Sequence, residues 1–136
     1  MQIHLKKGEK IYVNGAVLRV DRRTSLEFLN DVDFLLENHV IQAEEAKTPF
    51  RQLYFVVQPM LIDPANAGMT FELFKHLAHR AGQAVKSPEL STALETAGQK
   101  VTDGRLFDAL RLLRSVFGLE DELLGGNEIS NMRIAQ

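Results

Sequence analysis

The residues with the clearest chemistry in this chain are basic and lie near its start. Residues 1–25 hold six bases against two acids, Glu9 and Asp21, although the formal net charge of the chain is −2. Such a patch is able to contact phosphates, and Tyr12 or His4 could stack an unpaired base beside it. The candidate RNA-binding residues are Lys6, Lys7, Lys10, Tyr12, Arg19, Arg22 and Arg23. An edge hairpin kept soluble by lysines would show the same charges, so both interpretations stay open.

The other reactive groups do not assemble into an active site. Glu72, His76 and His79 have the spacing of metal ligands on one helix face, but a solvated helix face explains them better. Glu44 and Glu45 are adjacent, so their carboxylates would diverge on a helix. The sequence has no phosphate-binding glycine loop, nucleophile motif, zinc signature or cysteine. We therefore expect a protein that is not an enzyme and that holds neither a metal nor a cofactor.

Composition is typical of an ordinary globular protein. At 136 residues, with 45% apolar and 25% charged residues, the chain is long enough for a single domain. Residues 1–10 lack the apolar segment of a signal peptide, and no apolar run approaches the roughly 20 residues that span a membrane. The lack of cysteine fits a reducing compartment. We expect a cytoplasmic protein without membrane contact.

One hairpin is expected to position several of the basic residues. Asn14-Gly15 separates two alternating runs, which favours a type I′ turn because both turn residues need a positive φ. A two-residue turn places Lys10 opposite Arg19, and residues directly opposite share a face of the sheet. The predicted core face carries Ile11, Val13, Ala16 and Leu18. The predicted basic face carries Lys10, Tyr12, Val17 and Arg19.

Hydrophobic periodicity divides the chain into two halves that should pack together. Short alternating runs predict a small antiparallel β-meander of about five strands in residues 1–42. Helical spacing in residues 43–118 predicts a bundle of about four helices that covers the sheet. Residues 119–136 are predicted to form an acidic, loosely ordered tail. The predicted fold class is α+β.

The main predicted helix is the most apolar segment of the chain. Thr48 is a good cap and Pro49 suits the first helical position, whereas Asp63-Pro64 ends the helix. Its apolar stripe is broad enough to exceed what one small sheet covers. The candidate partner-docking residues are therefore Tyr54, Phe55 and Met60.

Two blocks within residues 1–65 carry a resemblance to a known family. The first block contains Leu5-Lys6-Lys7-Gly8-Glu9, then Val13-Asn14-Gly15-Ala16-Val17-Leu18-Arg19, then Asp21-Arg22-Arg23 with Leu26-Glu27. The second runs from Ala46-Lys47-Thr48-Pro49 through Arg51-Gln52-Leu53-Tyr54-Phe55 to Met60 and Asp63-Pro64. Together these blocks resemble the FlbT family of flagellin-synthesis regulators. The later helices fit in length but carry little that is diagnostic.

The resemblance implies a cytoplasmic, non-enzymatic regulator of bacterial flagellum assembly that acts after transcription. It implies binding near the 5′ untranslated leader of flagellin messenger RNA, repression of translation and promotion of mRNA decay, with activation in some members. FlaF is the partner that it implies, and no RNA-contact residues come with it. A second hypothesis is an adaptor that binds FlaF or flagellin and affects the mRNA indirectly. The oligomeric state, including a homo-oligomer, stays open.

Overall fold

The computed structural model describes residues 1–124, which form a strand-rich first part followed by helices. The strands are β1 (Gln2–Leu5), β2 (Lys10–Val13), β3 (Ala16–Arg19), β4 (Thr24–Glu27) and β5 (Phe34–Leu36). The helices are α1 (Pro49–Ile62), α2 (Ala67–Ala84), α3 (Pro88–Thr102) and α4 (Leu106–Ser115). Short 3-10 turns cover Glu37–His39, Ala43–Glu45 and Pro64–Asn66. The predicted α+β class is confirmed.

The five strands form two antiparallel sheets rather than one meander. β1 pairs with β4, and β2 lies between β3 and β5 in a three-stranded sheet. The predicted meander order is therefore wrong, because β4 pairs with β1 and not with β3, its neighbour in sequence. The return is made at residues 20–23, where the chain bends away from the hairpin. Leu5 then lies opposite Thr24 at one end of the β1–β4 pair.

The hairpin between β2 and β3 has the predicted turn and register. Asn14 has φ 47° and Gly15 has φ 86°, as a turn with two left-handed residues requires. Lys10 lies opposite Arg19, and Val13 lies opposite Ala16. Local turn chemistry was sufficient to predict this register.

Two hydrophobic clusters hold the described chain together. The smaller cluster lies among the strands and contains Ile3, Leu5, Ile11 and Phe34. Phe107 of α4 packs on it, with its ring centroid 4.4 Å from that of Phe34. Asp33 beside this stack accepts a hydrogen bond at 3.0 Å from the Phe107 backbone N–H, near the start of α4. Side-chain stacking and helix capping therefore join the strands to the helices.

The larger cluster is built around α1. Phe50, Leu53, Tyr54 and Val57 are fully buried in it at 0% exposure. Thr48 caps the helix by accepting a hydrogen bond from the Arg51 N–H, as predicted. The bounds of α1 agree with the sequence signals because a side-chain cap at one end and an Asp-Pro pair at the other are local features.

The C-terminal segment, defined here as residues 117–124, is helical and packed rather than loose. Glu120 is 3% exposed, and its carboxylate accepts hydrogen bonds from the Phe50 N–H at 2.8 Å and the Thr48 hydroxyl at 2.5 Å. Arg51 donates two hydrogen bonds to Asp121, at 2.7 and 2.9 Å. The prediction of a loosely ordered tail from residue 119 is wrong for residues 119–124, because Glu120 and Asp121 bind the start of α1. Residues 125–136 lie outside the described part of the chain.

Candidate nucleic-acid interface

The six predicted basic residues lie at one end of the two sheets. Lys10 begins β2 and Arg19 ends β3, so the hairpin register places them side by side. The other four lie in the turn at residues 6–9 and the bend at residues 20–23. These two segments touch, because the Gly8 N–H donates to the Val20 carbonyl at 2.8 Å and the Val20 N–H donates to the Glu9 carbonyl at 3.2 Å. We call this surface the basic end: Lys6, Lys7, Lys10, Arg19, Arg22 and Arg23.

Most charges of the basic end face solvent without an ion-pair partner among residues 1–124. Five of the six residues are exposed, and Lys10 is half-buried. Arg22 makes an ion pair at 3.6 Å with Asp21, and both side chains are more than 80% exposed. Within residues 1–124 it is the only ion pair that involves this group, and exposed pairs of this kind contribute little. The surface therefore remains positive and accessible to an anion.

Tyr12 does not belong to the accessible part of this surface. It lies opposite Leu35 in the β2–β5 pair, is half-buried, and packs against the larger cluster. On β2 the neighbouring residue Ile11 is buried in the smaller cluster. Both faces of this central strand are thus covered, which alternation alone did not reveal. The role predicted for Tyr12 in base stacking loses its structural support, whereas His4 is exposed beside the basic end.

The predicted core face of the hairpin is only partly correct. Ile11 is fully buried and Val13 is half-buried, but Ala16 is exposed and Leu18 is 49% exposed. β3 pairs with β2 alone and forms an edge of its sheet. Since no element within residues 1–124 covers β3, Val17 on its other face is also 57% exposed.

The predicted partner-docking residues lie mainly inside the protein. Tyr54 is 0% exposed and Met60 is 2% exposed, so the docking prediction is wrong for both, whereas Phe55 is half-buried. The Tyr54 hydroxyl donates to the His39 carbonyl at 2.6 Å and accepts from Arg114 at 3.1 Å. Burial raises the pKa of Tyr54. The later helices and the C-terminal segment cover α1, so within residues 1–124 this helix has no broad apolar face for a partner.

Neither a membrane span nor a metal centre is found in the part that the structure describes. Across residues 1–124, no helix combines the length and apolar character required to cross a bilayer. The same residues contain no cluster of histidine and carboxylate side chains that could hold a metal ion.

Comparison with known proteins assigns the family. The family model described as "Flagellar protein FlbT" matches residues 1–124. This chain belongs to the FlbT family. The predicted resemblance is thereby confirmed, and it extends beyond the blocks in residues 1–65 to the later helices. No solved structure matches the chain.

Relatives of this FlbT-family chain carry a common description. A protein of Allorhizobium ampelinum is 46% identical over 136 residues, covering 100% of this chain and 91% of its own. A protein of Mesorhizobium japonicum is 47% identical over 128 residues, covering 94% of this chain and 87% of its own. A protein of Chelativorans sp. is 46% identical over 123 residues, covering 90% and 85%. Each is named "Probable flagellum biosynthesis repressor protein FlbT".

The structure also adds residues to the basic end that sequence reasoning missed. Glu9 and Asn38 share a pocket with Lys6 and Arg23. Asn38 lies in the 3-10 turn after β5, and the pairing of β5 with β2 brings this turn towards the start of the chain. Glu9 lies in the same turn as Lys6, but no sequence signal links Asn38 or Arg23 to that turn, because only strand pairing makes them its neighbours.

Proposed function

We propose that this protein represses flagellum biosynthesis after transcription, by binding flagellin mRNA near its 5′ leader through the basic end. The names of its relatives support a repressor of flagellum biosynthesis. The observation that carries the RNA-binding step is the contact between residues 6–10 and residues 19–23, which together carry six bases, five of them exposed. Repression would act in the cytoplasm, where the message is translated.

The charge distribution supports binding through a local surface rather than by overall attraction. The chain has a formal net charge of −2, so its average field repels RNA. The basic end concentrates positive charge at two touching bends, where several phosphates of one strand can be contacted together. A protein bound to the leader through this surface would obstruct ribosome entry and leave the untranslated message open to decay.

The test is a titration of labelled flagellin leader RNA at two or more salt concentrations. Wild type is compared with a variant carrying Arg22→Glu and Arg23→Glu, since both residues are exposed and lie outside the core. Two lost phosphate contacts should reduce the log–log salt slope by about 1.4, at about 0.7 for each contact on a single strand. Binding should weaken strongly because two repulsive charges are also introduced.

A matched control keeps the charge change but moves it to the helices. Arg80→Glu with Lys86→Glu changes two exposed bases near the end of α2, and this control should bind nearly as wild type does. If the Arg22 and Arg23 variant retains wild-type affinity, the assignment to the basic end is wrong. If wild type binds the leader no better than an unrelated acidic protein, direct RNA binding is refuted.

A second candidate function is an adaptor that binds FlaF or flagellin and affects the message indirectly. Edge strand β3 favours it, because both Val17 and Leu18 are about half exposed and an extended partner segment could add a strand there. Val17→Lys should weaken capture of purified FlaF or flagellin while leaving RNA affinity in place. Unchanged capture of both partners would remove the support for this function.

A further inference from the structure

A small pocket at the basic end has a lining that suits one particular class of ligand. Its volume is about 200 Å³, and it lies where β1, the turn at residues 6–9 and the bend before β4 meet the 3-10 turn after β5. Leu5 and Leu36 supply apolar lining. The polar lining consists of His4, Lys6, Glu9, Arg23 and Asn38.

Two of these polar side chains are held in place by hydrogen bonds. The Glu9 carboxylate accepts from the Lys6 backbone N–H at 2.6 Å through Oε1. The His4 ring lies with Nδ1 2.8 Å from the Ser25 hydroxyl oxygen. The pocket therefore presents a fixed carboxylate and a fixed flat ring, which reduces the entropy lost when a ligand binds.

The lining combines features that narrow the ligand chemistry. Lys6 and Arg23 are exposed bases without an ion pair in residues 1–124, so they favour an anionic group and disfavour a metal ion. Glu9 favours N–H donors, and His4 with the two leucines favours a flat, partly apolar ring. The volume is below the roughly 300–1,000 Å³ of pockets for drug-sized ligands, so it suits a single base.

We infer that this pocket receives one unpaired guanine nucleotide. Guanine presents two adjacent donors, N1–H and the N2 amino group, to a single carboxylate, which adenine and uracil do not. Glu9 accepts from this edge, Asn38 supplies a further amide contact, His4 stacks on the base, and Lys6 with Arg23 contacts its phosphates. The inference rests on the proposed function in that it takes the nucleotide to be part of the bound RNA.

The experiment uses short single-stranded RNAs with one guanine in a uridine background, titrated against the full chain. Matched RNAs replace that guanine by inosine, which lacks the N2 amino group, or by adenine. Wild type should bind the guanine RNA about tenfold more tightly than either matched RNA, as expected for one bidentate base contact. Glu9→Gln should remove most of this preference while keeping an acceptor for the Lys6 N–H. Glu27→Gln, the same change at an exposed residue of β4, should leave the preference intact.

A stacking readout tests the ring independently. His4→Ala should weaken binding of the guanine RNA by about fivefold or more, and His4→Phe should restore it, as a stacked aromatic requires. Equal binding by His4→Ala and wild type would contradict stacking. A guanine preference that survives in Glu9→Gln, or that is absent in wild type, would overturn the pocket assignment. RNA binding that keeps its salt dependence would then leave the proposed function in place.

Free GMP distinguishes the two sources of this ligand. Weak or undetectable GMP binding, together with guanine preference in RNA, supports a nucleotide within the message. Tight GMP binding that Glu9→Gln abolishes, with no binding of any RNA, would refute both the RNA source and the proposed function. Failure of both GMP and RNA to bind would overturn the pocket and the proposed function together.

Discussion

Removing the Glu120 carboxylate should destabilise the protein through the start of α1. This side chain accepts two hydrogen bonds, from the Phe50 N–H at 2.8 Å and the Thr48 hydroxyl at 2.5 Å. Phe50 is fully buried, so in Glu120→Ala its N–H would lack an acceptor and water could not easily replace it. A buried donor without a partner costs about 1–3 kcal/mol, so we expect a loss of about 2 kcal/mol in the free energy of unfolding.

Urea unfolding of the full chain, followed by circular dichroism, measures this loss. Glu122→Ala is the matched control, because Glu122 lies in the same segment, carries the same charge and is exposed. The control should change stability by less than about 0.5 kcal/mol, as surface substitutions usually do. If Glu120→Ala and Glu122→Ala were equally stable, the C-terminal segment would not be docked on α1. The packing of Glu120 against the start of α1 would then be refuted.

Three further changes test the protonation of Glu120, the hairpin turn and the placement of Tyr12. Burial raises the pKa of Glu120 above its ordinary value of 4.5. The folded protein therefore binds the proton of the Glu120 carboxyl more tightly than the unfolded chain does. Protonation of Glu120 contributes its full stabilisation of the folded state below the unfolded pKa, and this contribution is lost as pH rises through the folded pKa. Glu120→Gln should thus gain stability relative to wild type between acidic and neutral pH, and parallel pH profiles of the two proteins would contradict this. Gly15→Val should lower the free energy of unfolding by about 1–3 kcal/mol, because φ is 86° and a β-branched side chain is strained in this left-handed conformation; urea midpoints should show Gly15→Asn much less affected. Tyr12→Ala should cost about 2 kcal/mol in stability, below the value for a fully buried aromatic, with leader affinity nearly unchanged in the RNA titration. A large loss of affinity at wild-type stability would return Tyr12 to the interface.

Local sequence signals predicted the hairpin and the main helix well. Asn14-Gly15 specified a turn that only residues tolerant of positive φ adopt, and a two-residue loop leaves one register for the strands. Thr48-Pro49 marked the start of α1 because capping involves residues within one helical turn. The basic residues and the family resemblance were likewise readable from the sequence, since charge and motif order do not depend on the fold.

Tertiary structure decided which of these residues meet. Pairing of β1 with β4 brought Lys6 and Arg23 to one pocket, and pairing of β5 with β2 brought Asn38 there. Period-two alternation shows that a strand has two faces but not whether each is covered. Tyr12 was therefore placed on a solvent face although it packs against the helical core.

The C-terminal segment shows the same limit most clearly. A run of acidic residues after α4 is typical of a solvated tail, and nothing adjacent in sequence changes that interpretation. Only the fold brings Glu120 to the first turn of α1, where the Phe50 N–H, the Thr48 hydroxyl and Arg51 offset only part of the lost hydration of its charge. Sequence by itself determined the local elements and the charges. The long-range contacts that place a charge in water or in the core belong to the tertiary structure, because burial depends on every element that packs around a residue.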